Sequence, residues 1–108
     1  MIYIFDIDGT ICTLTDGNYL FAEPIKNRIL IINNLFKEGH EIIIFTARGM
    51  KTFENNVDMA ENKWEEITRK QLDAWGVSYH KLILGKPAAD LYIDDKGIND
   101  KVFFQDFN

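Results

Sequence analysis

The chain has 108 residues and a net charge of −5, which fits one small domain, 1–108, and excludes a second of similar size. Hydrophobic residues at 46% and charged residues at 27% exclude a disordered polyelectrolyte, and the acidic balance makes a nucleic-acid partner unlikely on charge grounds. The lone cysteine, Cys12, excludes an intrachain disulfide and fits a reducing compartment; with no apolar run near ~20 residues, no membrane span is expected and a cytoplasmic location is.

Ile2–Phe5 is a short apolar run of strand formers, as in a strand covered on both faces. Asp6 and Asp8 interrupt that run and no basic segment precedes it, so a secretory leader is not expected. Ile11–Thr15 and Asn18–Phe21 flank Asp16-Gly17, a two-residue connection whose demand for positive φ predicts a hairpin. Pro24 suits the first turn of a helix, and Ile25, Ile29, Ile32 and Phe36 recur at helical spacing up to a stop at Gly39. Glu41–Phe45 reads as a second buried strand ending at Thr46. After a polar stretch from Ala47 to about Val57, Trp64, Ile67, Leu72 and Trp75 mark one face of a helix that Gly76 closes. Lys81–Leu84 predicts a third strand running into Gly85-Lys86-Pro87. Leu91–Ile93 predicts a fourth running into Asp94-Asp95, and Val102–Phe104 a short last one.

Strands alternating with helices imply an α/β fold: a Rossmann-like three-layer sandwich, its sheet mainly parallel and its helices on both faces. Ligands of such sheets bind at the carboxyl ends of the strands. Those ends carry Asp6 and Asp8, Thr46 and Arg48, Lys86, and Asp94 with Asp95. Scattered along the chain, these residues are expected to converge on one edge.

Several carboxylates at one point need a cation, and hard oxygen donors with little else favour magnesium, Mg2+, bound together with a substrate phosphate. Thr46 offers a hydroxyl donor and Lys86 a point charge suited to phosphate. One carboxylate can act as nucleophile while its neighbour two residues on serves as general acid and base. These are the parts of a phosphoryl-transfer site.

FDIDGT, IIIFTARG, GKP and YIDD, in that order and over nearly the whole chain, resemble the signature motifs of the haloacid dehalogenase-like (HAD) phosphohydrolase superfamily. The resemblance implies that Asp6 is a nucleophile forming an aspartyl-phosphate and that Asp8 is the general acid/base. It implies that Thr46 and Lys86 hold the phosphoryl group. Asp94, the Asp6 side chain and the Asp8 carbonyl would bind magnesium, with Asp95 supporting. An acid at position 8 is similar to the phosphatases and unlike the dehalogenases. The stretches after Thr10 and after Thr46 are too short for a large cap domain, so the chain resembles a capless member whose Asp16-Gly17 hairpin is the small flap. YIDDKGI is most similar to short proteins of bacterial capsule and surface-polysaccharide biosynthesis, which implies a phosphorylated sugar or polysaccharide precursor as substrate.

Two other functions stay open at this point. Thr46-Ala47-Arg48 resembles the polynucleotide end phosphatases, against which the acidic charge counts, and a non-catalytic phosphate-binding module is the third reading. A calcium loop starting at Asp6 fails, because its sixth and twelfth positions are Ile11 and Gly17 rather than glycine and glutamate. Arg48 is read either as a contact to a substrate anion or as a structural ion pair. His40 and His80 fall at strand starts, away from the site, and Trp64 and Trp75 are read as packing residues. Met50, Phe53 and Met59 are core or an exposed patch for self-association or substrate contact, so homo-oligomerisation stays open.

Overall fold

Alternation along the strands orients the molecule. In the computed structural model, which describes residues 1–107, three strands form a parallel sheet in the order β1 (Ile2–Phe5), β2 (Glu41–Thr46), β3 (Lys81–Leu84). Phe5 lies opposite Ile44, Ile44 opposite Leu82, and Thr46 opposite Leu84. All of these are buried on one face, together with Ile42. Helices α1 (Lys26–Lys37), α2 (Val57–Ala74) and α3 (Asp100–Gln105) add Ile29, Ile32, Leu35, Leu72 and Phe104 to the same core. Each buried aliphatic side chain contributes about 1.5–3 kcal/mol. The opposite face carries Ile2, Ile4 and Ile83, which are 64%, 62% and 43% exposed. The α/β, mainly parallel reading therefore holds, and of the expected helical layers the described residues supply one.

Helix boundaries follow local chemistry. Asn56 caps α2, its side chain accepting from the Met59 amide at 3.1 Å. Gly39 and Gly76, at φ 95° and 74°, end α1 and α2 in the left-handed conformation.

Three local expectations are corrected. Leu91–Ile93 forms no strand, and the cause is reach. The Lys86 amide donates to the Thr46 carbonyl at 3.1 Å and the Ala88 amide to Asn55 Oδ1 at 3.0 Å, so the chain is still at the carboxyl edge at Ala88. A parallel partner for β1 must start at the other end of a four-residue strand, about 13 Å away. The three peptide steps from Ala88 to Leu91 span at most about 11 Å. Parallel crossovers ordinarily take about a dozen residues.

Val102–Phe104 lies in α3 rather than in a strand. Asn99 caps it, accepting from the Lys101 amide at 3.0 Å, and Arg28 anchors its first turn through Asp100 at 2.7 Å. In the hairpin region Asp16 and Gly17 do take positive φ, 53° and 90°, and the Asn18 amide donates to the Thr15 carbonyl at 3.2 Å, but no strand ladder continues from that turn among the described residues. Residues Tyr19–Phe21 wind into a 3-10 turn, which turns the Tyr19 ring inward against Trp64, 4.7 Å between centroids. Burying that ring competes with a ladder, and Thr13 meets Glu23 instead: its amide donates to the Glu23 carbonyl and its Oγ1 accepts from the Glu23 amide, both at 3.0 Å.

Candidate active site

The turn after β1 sets the first two acids. The amides of Thr10 and Ile11 donate to the Ile7 carbonyl at 3.0 and 2.8 Å, and Gly9 sits at φ 83°, a conformation that favours glycine. Phe5 and Ile7 are buried in the core while Asp6 and Asp8 are half-buried on the other side of the alternation. Both acids line an open basin of about 250 Å³, whose walls include Tyr19, Arg48, Lys51 and Tyr92.

The two carboxylates have different surroundings. Burial pushes the Asp6 carboxyl above its ordinary value, the Lys86 ammonium and the Ile7 amide oppose this, and the Asp8 charge adds to it. Lys86 Nζ is 3.7 Å from Asp6 Oδ1, a charge contact rather than a close hydrogen bond. Asp8 is held by both ends of one guanidinium: Arg48 Nε donates to Oδ2 at 2.9 Å and Nη2 to Oδ1 at 3.0 Å. The Cys12 thiol lies 3.5 Å from Asp8 Oδ1, and burial, with the Asp8 charge behind it, pushes its pKa up to about 12.

Thr46 ends β2 fully buried, and its Oγ1 accepts from the Arg48 amide at 3.1 Å. The Arg48 side chain is 0% exposed. Of its two readings the ion pair is the one present, with no open face of the guanidinium left for a substrate. Lys86 stands at the carboxyl edge through its amide bond to Thr46, and its ammonium lies 4.5 Å from the centroid of the Tyr92 ring. Asp6, Asp8, Thr46, Arg48 and Lys86 thus meet at one edge.

Asp94 and Asp95 are exposed. Asp94 Oδ1 accepts from the amides of Lys96, at 2.8 Å, and Gly97, which hold its carboxyl below the ordinary value, while Asp95 pairs with Lys96 at 2.9 Å. Among the described residues no group of three or more His, Cys, Asp and Glu side chains is gathered for a metal. The donor chemistry still fits magnesium, which needs only one or two carboxylates beside water and substrate phosphate, and the costly burial of Asp6 is what a cation would relieve.

His40 and His80 lie away from this edge, as their positions imply: His80 Nδ1 accepts from the Ile42 amide at 3.0 Å, and His40 Nδ1 contacts the amino terminus at 3.0 Å. Met50 is core. Thr68, Gln71 and Tyr19, which contact Arg48, were not singled out by pattern. The usable signal was two polar residues, Thr68 and Gln71, one helical turn apart beside the apolar stripe of α2. No helix among the described residues is long and apolar enough to cross a membrane.

No protein-family model and no curated protein matches the chain. A chain of a Pnkp1/Rnl/Hen1 complex shares the fold, with a TM-score of 0.58 at 19% identity, over 96% of this chain and 33% of that one. A crystal structure of a target protein from Vibrio cholerae has a TM-score of 0.87 at 31% identity, over 94% of this chain and 85% of that one. At that identity and coverage the likeness extends beyond the fold, and the chain belongs to the same protein family as the Vibrio cholerae protein.

Proposed function

We infer that the protein is a magnesium-dependent phosphatase of the HAD type that hydrolyses a phosphate monoester through an aspartyl-phosphate on Asp6. The observation that supports this most is the pair of acids at the basin with unlike partners: Asp6, costly to bury and only loosely met by Lys86, and Asp8, held in two bonds by Arg48. Two equivalent structural carboxylates would not need such different surroundings. An attacking carboxylate and a proton-transferring one do.

In the reaction, an Asp6 oxygen attacks phosphorus and the bond from phosphorus to the leaving oxygen breaks, that oxygen taking a proton from Asp8. Water then attacks the aspartyl-phosphate at phosphorus, returns a proton to Asp8 and frees Asp6 and inorganic phosphate. A carboxylate has about four lone-pair positions, so a proton on Asp8 is compatible with the bonds from Arg48. Lys86 balances charge on Asp6 and on the transferring group. Asp94, the Asp6 side chain and the Asp8 carbonyl, with Asp95 in support, would hold magnesium, which would supply the remaining positive charge.

An open basin walled by Tyr19, Lys51 and Tyr92 suits a phosphate whose carrier extends into solvent. A phosphorylated sugar or polysaccharide precursor is the first choice, following the YIDDKGI resemblance. A polynucleotide end is the second, favoured by the Lys51 cation on the basin wall. Turnover of sugar phosphates, nucleotides and 3′-phosphorylated oligonucleotides with magnesium separates them. Phosphate trapped on Asp6 supports the mechanism and phosphate on another residue removes it. Phosphate binding without turnover of any monoester points to the binding module.

A further inference from the structure

We propose that Arg48 is a positioning residue that fixes the plane of the Asp8 carboxylate by fastening it to α2 and to the loop between Thr13 and Ala22. The proposal takes what Asp8 does from the phosphatase reading, and how Asp8 is held from geometry alone.

The guanidinium is fully buried and bonded along three sides. Nε and Nη2 take the two Asp8 oxygens at 2.9 and 3.0 Å. Nη1 donates to Gln71 Oε1 at 2.6 Å and lies 3.3 Å from Thr68 Oγ1, both on α2. The far end of Gln71 donates to the Tyr19 carbonyl at 2.9 Å. The Tyr19 ring lies 4.8 Å from the guanidinium carbon, and its hydroxyl accepts from the Gly49 amide at 3.3 Å.

A salt bridge serving stability alone requires only Asp8 and Arg48. Fixing Nη1 from α2 adds a constraint on rotation of the guanidinium, and a bidentate pair transmits that constraint to the carboxylate plane. The lone pairs not taken by Arg48 are then held at a set angle to the basin that Asp8 lines. Proton transfer depends on that angle, because the acid must be aimed at the leaving oxygen. Asp6 has no such clamp: its partners are the Lys86 ammonium, 3.7 Å away, and the neighbouring Ile7 amide. The same network carries the loop, since Tyr19 belongs to it, so basin wall and proton donor are set by one group.

Two variants test this. Arg48→Lys keeps the charge but cannot grip both oxygens in one plane, and Gln71→Met keeps most of the side-chain volume while removing the link to α2. Each is assayed on an alkyl phosphate, whose leaving alkoxide must be protonated, and on nitrophenyl phosphate, whose phenolate needs little help. The expected result is a loss of about 10- to 100-fold in kcat/KM, which reports the step that expels the leaving group, on the alkyl ester and at most a few-fold loss in kcat/KM on the aryl ester. Equal losses in kcat/KM on both overturn the proposal and leave Arg48 a fold-holding residue. Gln71→Met carries the comparison if Arg48→Lys does not fold. A crystal structure of Gln71→Met adds a readout independent of turnover: an Asp8 carboxylate that has rotated or split into two conformers supports the proposal, and an unmoved one overturns it. Should the wild type hydrolyse no monoester, the phosphatase reading falls while this structural comparison still decides whether the network fixes Asp8.

Discussion

The loop after β1 and the segment from Ala89 to Asn99 each carry a pair of acids, and they are built in opposite ways. Asp6 and Asp8 stand on a turn whose amides converge on the Ile7 carbonyl, with Ile7 and Ile11 fully buried beneath it. Asp94 and Asp95 stand on a segment exposed throughout, in which Leu91 and Ile93 are 77% and 89% exposed. The first pair draws its partners, Arg48 and Lys86, from distant parts of the chain. The second uses only its own neighbours, Lys96 and Gly97. A site held by long-range contacts is formed by folding itself. A site held by a local turn depends on what binds to it, and the predictions below separate the two.

The largest effect belongs to the nucleophile. Asp6→Asn should lower turnover by about a thousand-fold or more, in proportion to the barrier carried by covalent catalysis. The same change should raise thermal stability at neutral pH. Burial holds the Asp6 carboxyl above its ordinary 3.8, so its charge opposes folding once it ionises. The contribution is favourable below about 3.8 and is lost as pH rises through the raised value. The melting-temperature gain of Asp6→Asn should therefore be present at pH 7, by a few degrees, and shrink toward zero below pH 3.8. A gain that grew on acidification would mean that burial is not the dominant influence on Asp6.

Arg48→Ala should come next. Removing the guanidinium leaves Asp8 half-buried without its two donors, and breaking such a pair costs about 3–5 kcal/mol. Asp94→Asn, by contrast, should leave the urea midpoint of the metal-free protein unchanged, as for an exposed site. Stability curves of the two variants side by side measure the contrast directly. If Asp94→Asn cost as much as Arg48→Ala, the carboxy-terminal acids would be part of the folded framework after all.

Much of this was legible in sequence because the signals were local. Gly39 and Gly76 closed their helices where the apolar period stopped, and Asp16-Gly17 adopted the positive φ that its composition requires. Asp6, Asp8, Thr46 and Lys86 met at one edge because parallel pairing puts the carboxyl end of every strand there. What failed depended on distance. A three-residue apolar run such as Leu91–Ile93 resembles a strand whether or not the preceding linker can carry it to a free edge, and the bonds of Lys86 and Ala88 consume that linker. Val102–Phe104 resembles a strand by composition alone, and the Asn99 side chain, which caps a helix, decides against it. Arg48 was open between two roles because only the packing of α2 decides whether its guanidinium faces solvent or Asp8.

Magnesium sharpens the comparison at smaller amplitude. Millimolar magnesium should raise the melting temperature of the wild type, since a ligand of the folded state stabilises by mass action. Asp6→Asn should abolish the shift. Asp94→Asn should reduce it without changing the metal-free baseline. A full shift in Asp6→Asn would place the cation away from the basin.

The smallest expected effect concerns Cys12, which lies on the braced side of the comparison. It is fully buried beneath the first acid pair, and burial together with the neighbouring Asp8 charge pushes its thiol up to about 12. Thiolate, not thiol, attacks a disulfide reagent, so at pH 8 the folded protein should offer almost none of the reactive form and little access to it. Labelling by an aromatic disulfide should be slow in native buffer and reach one thiol per chain in denaturant, matching the single cysteine of the sequence. Arg48→Lys should speed the native reaction by loosening the clamp beside the thiol, since Arg48 Nη2 lies 4.0 Å from Cys12 Sγ. Rapid labelling of the folded wild type would show that the turn carrying Asp6 and Asp8 opens readily, and the contrast with the exposed carboxy-terminal segment would disappear.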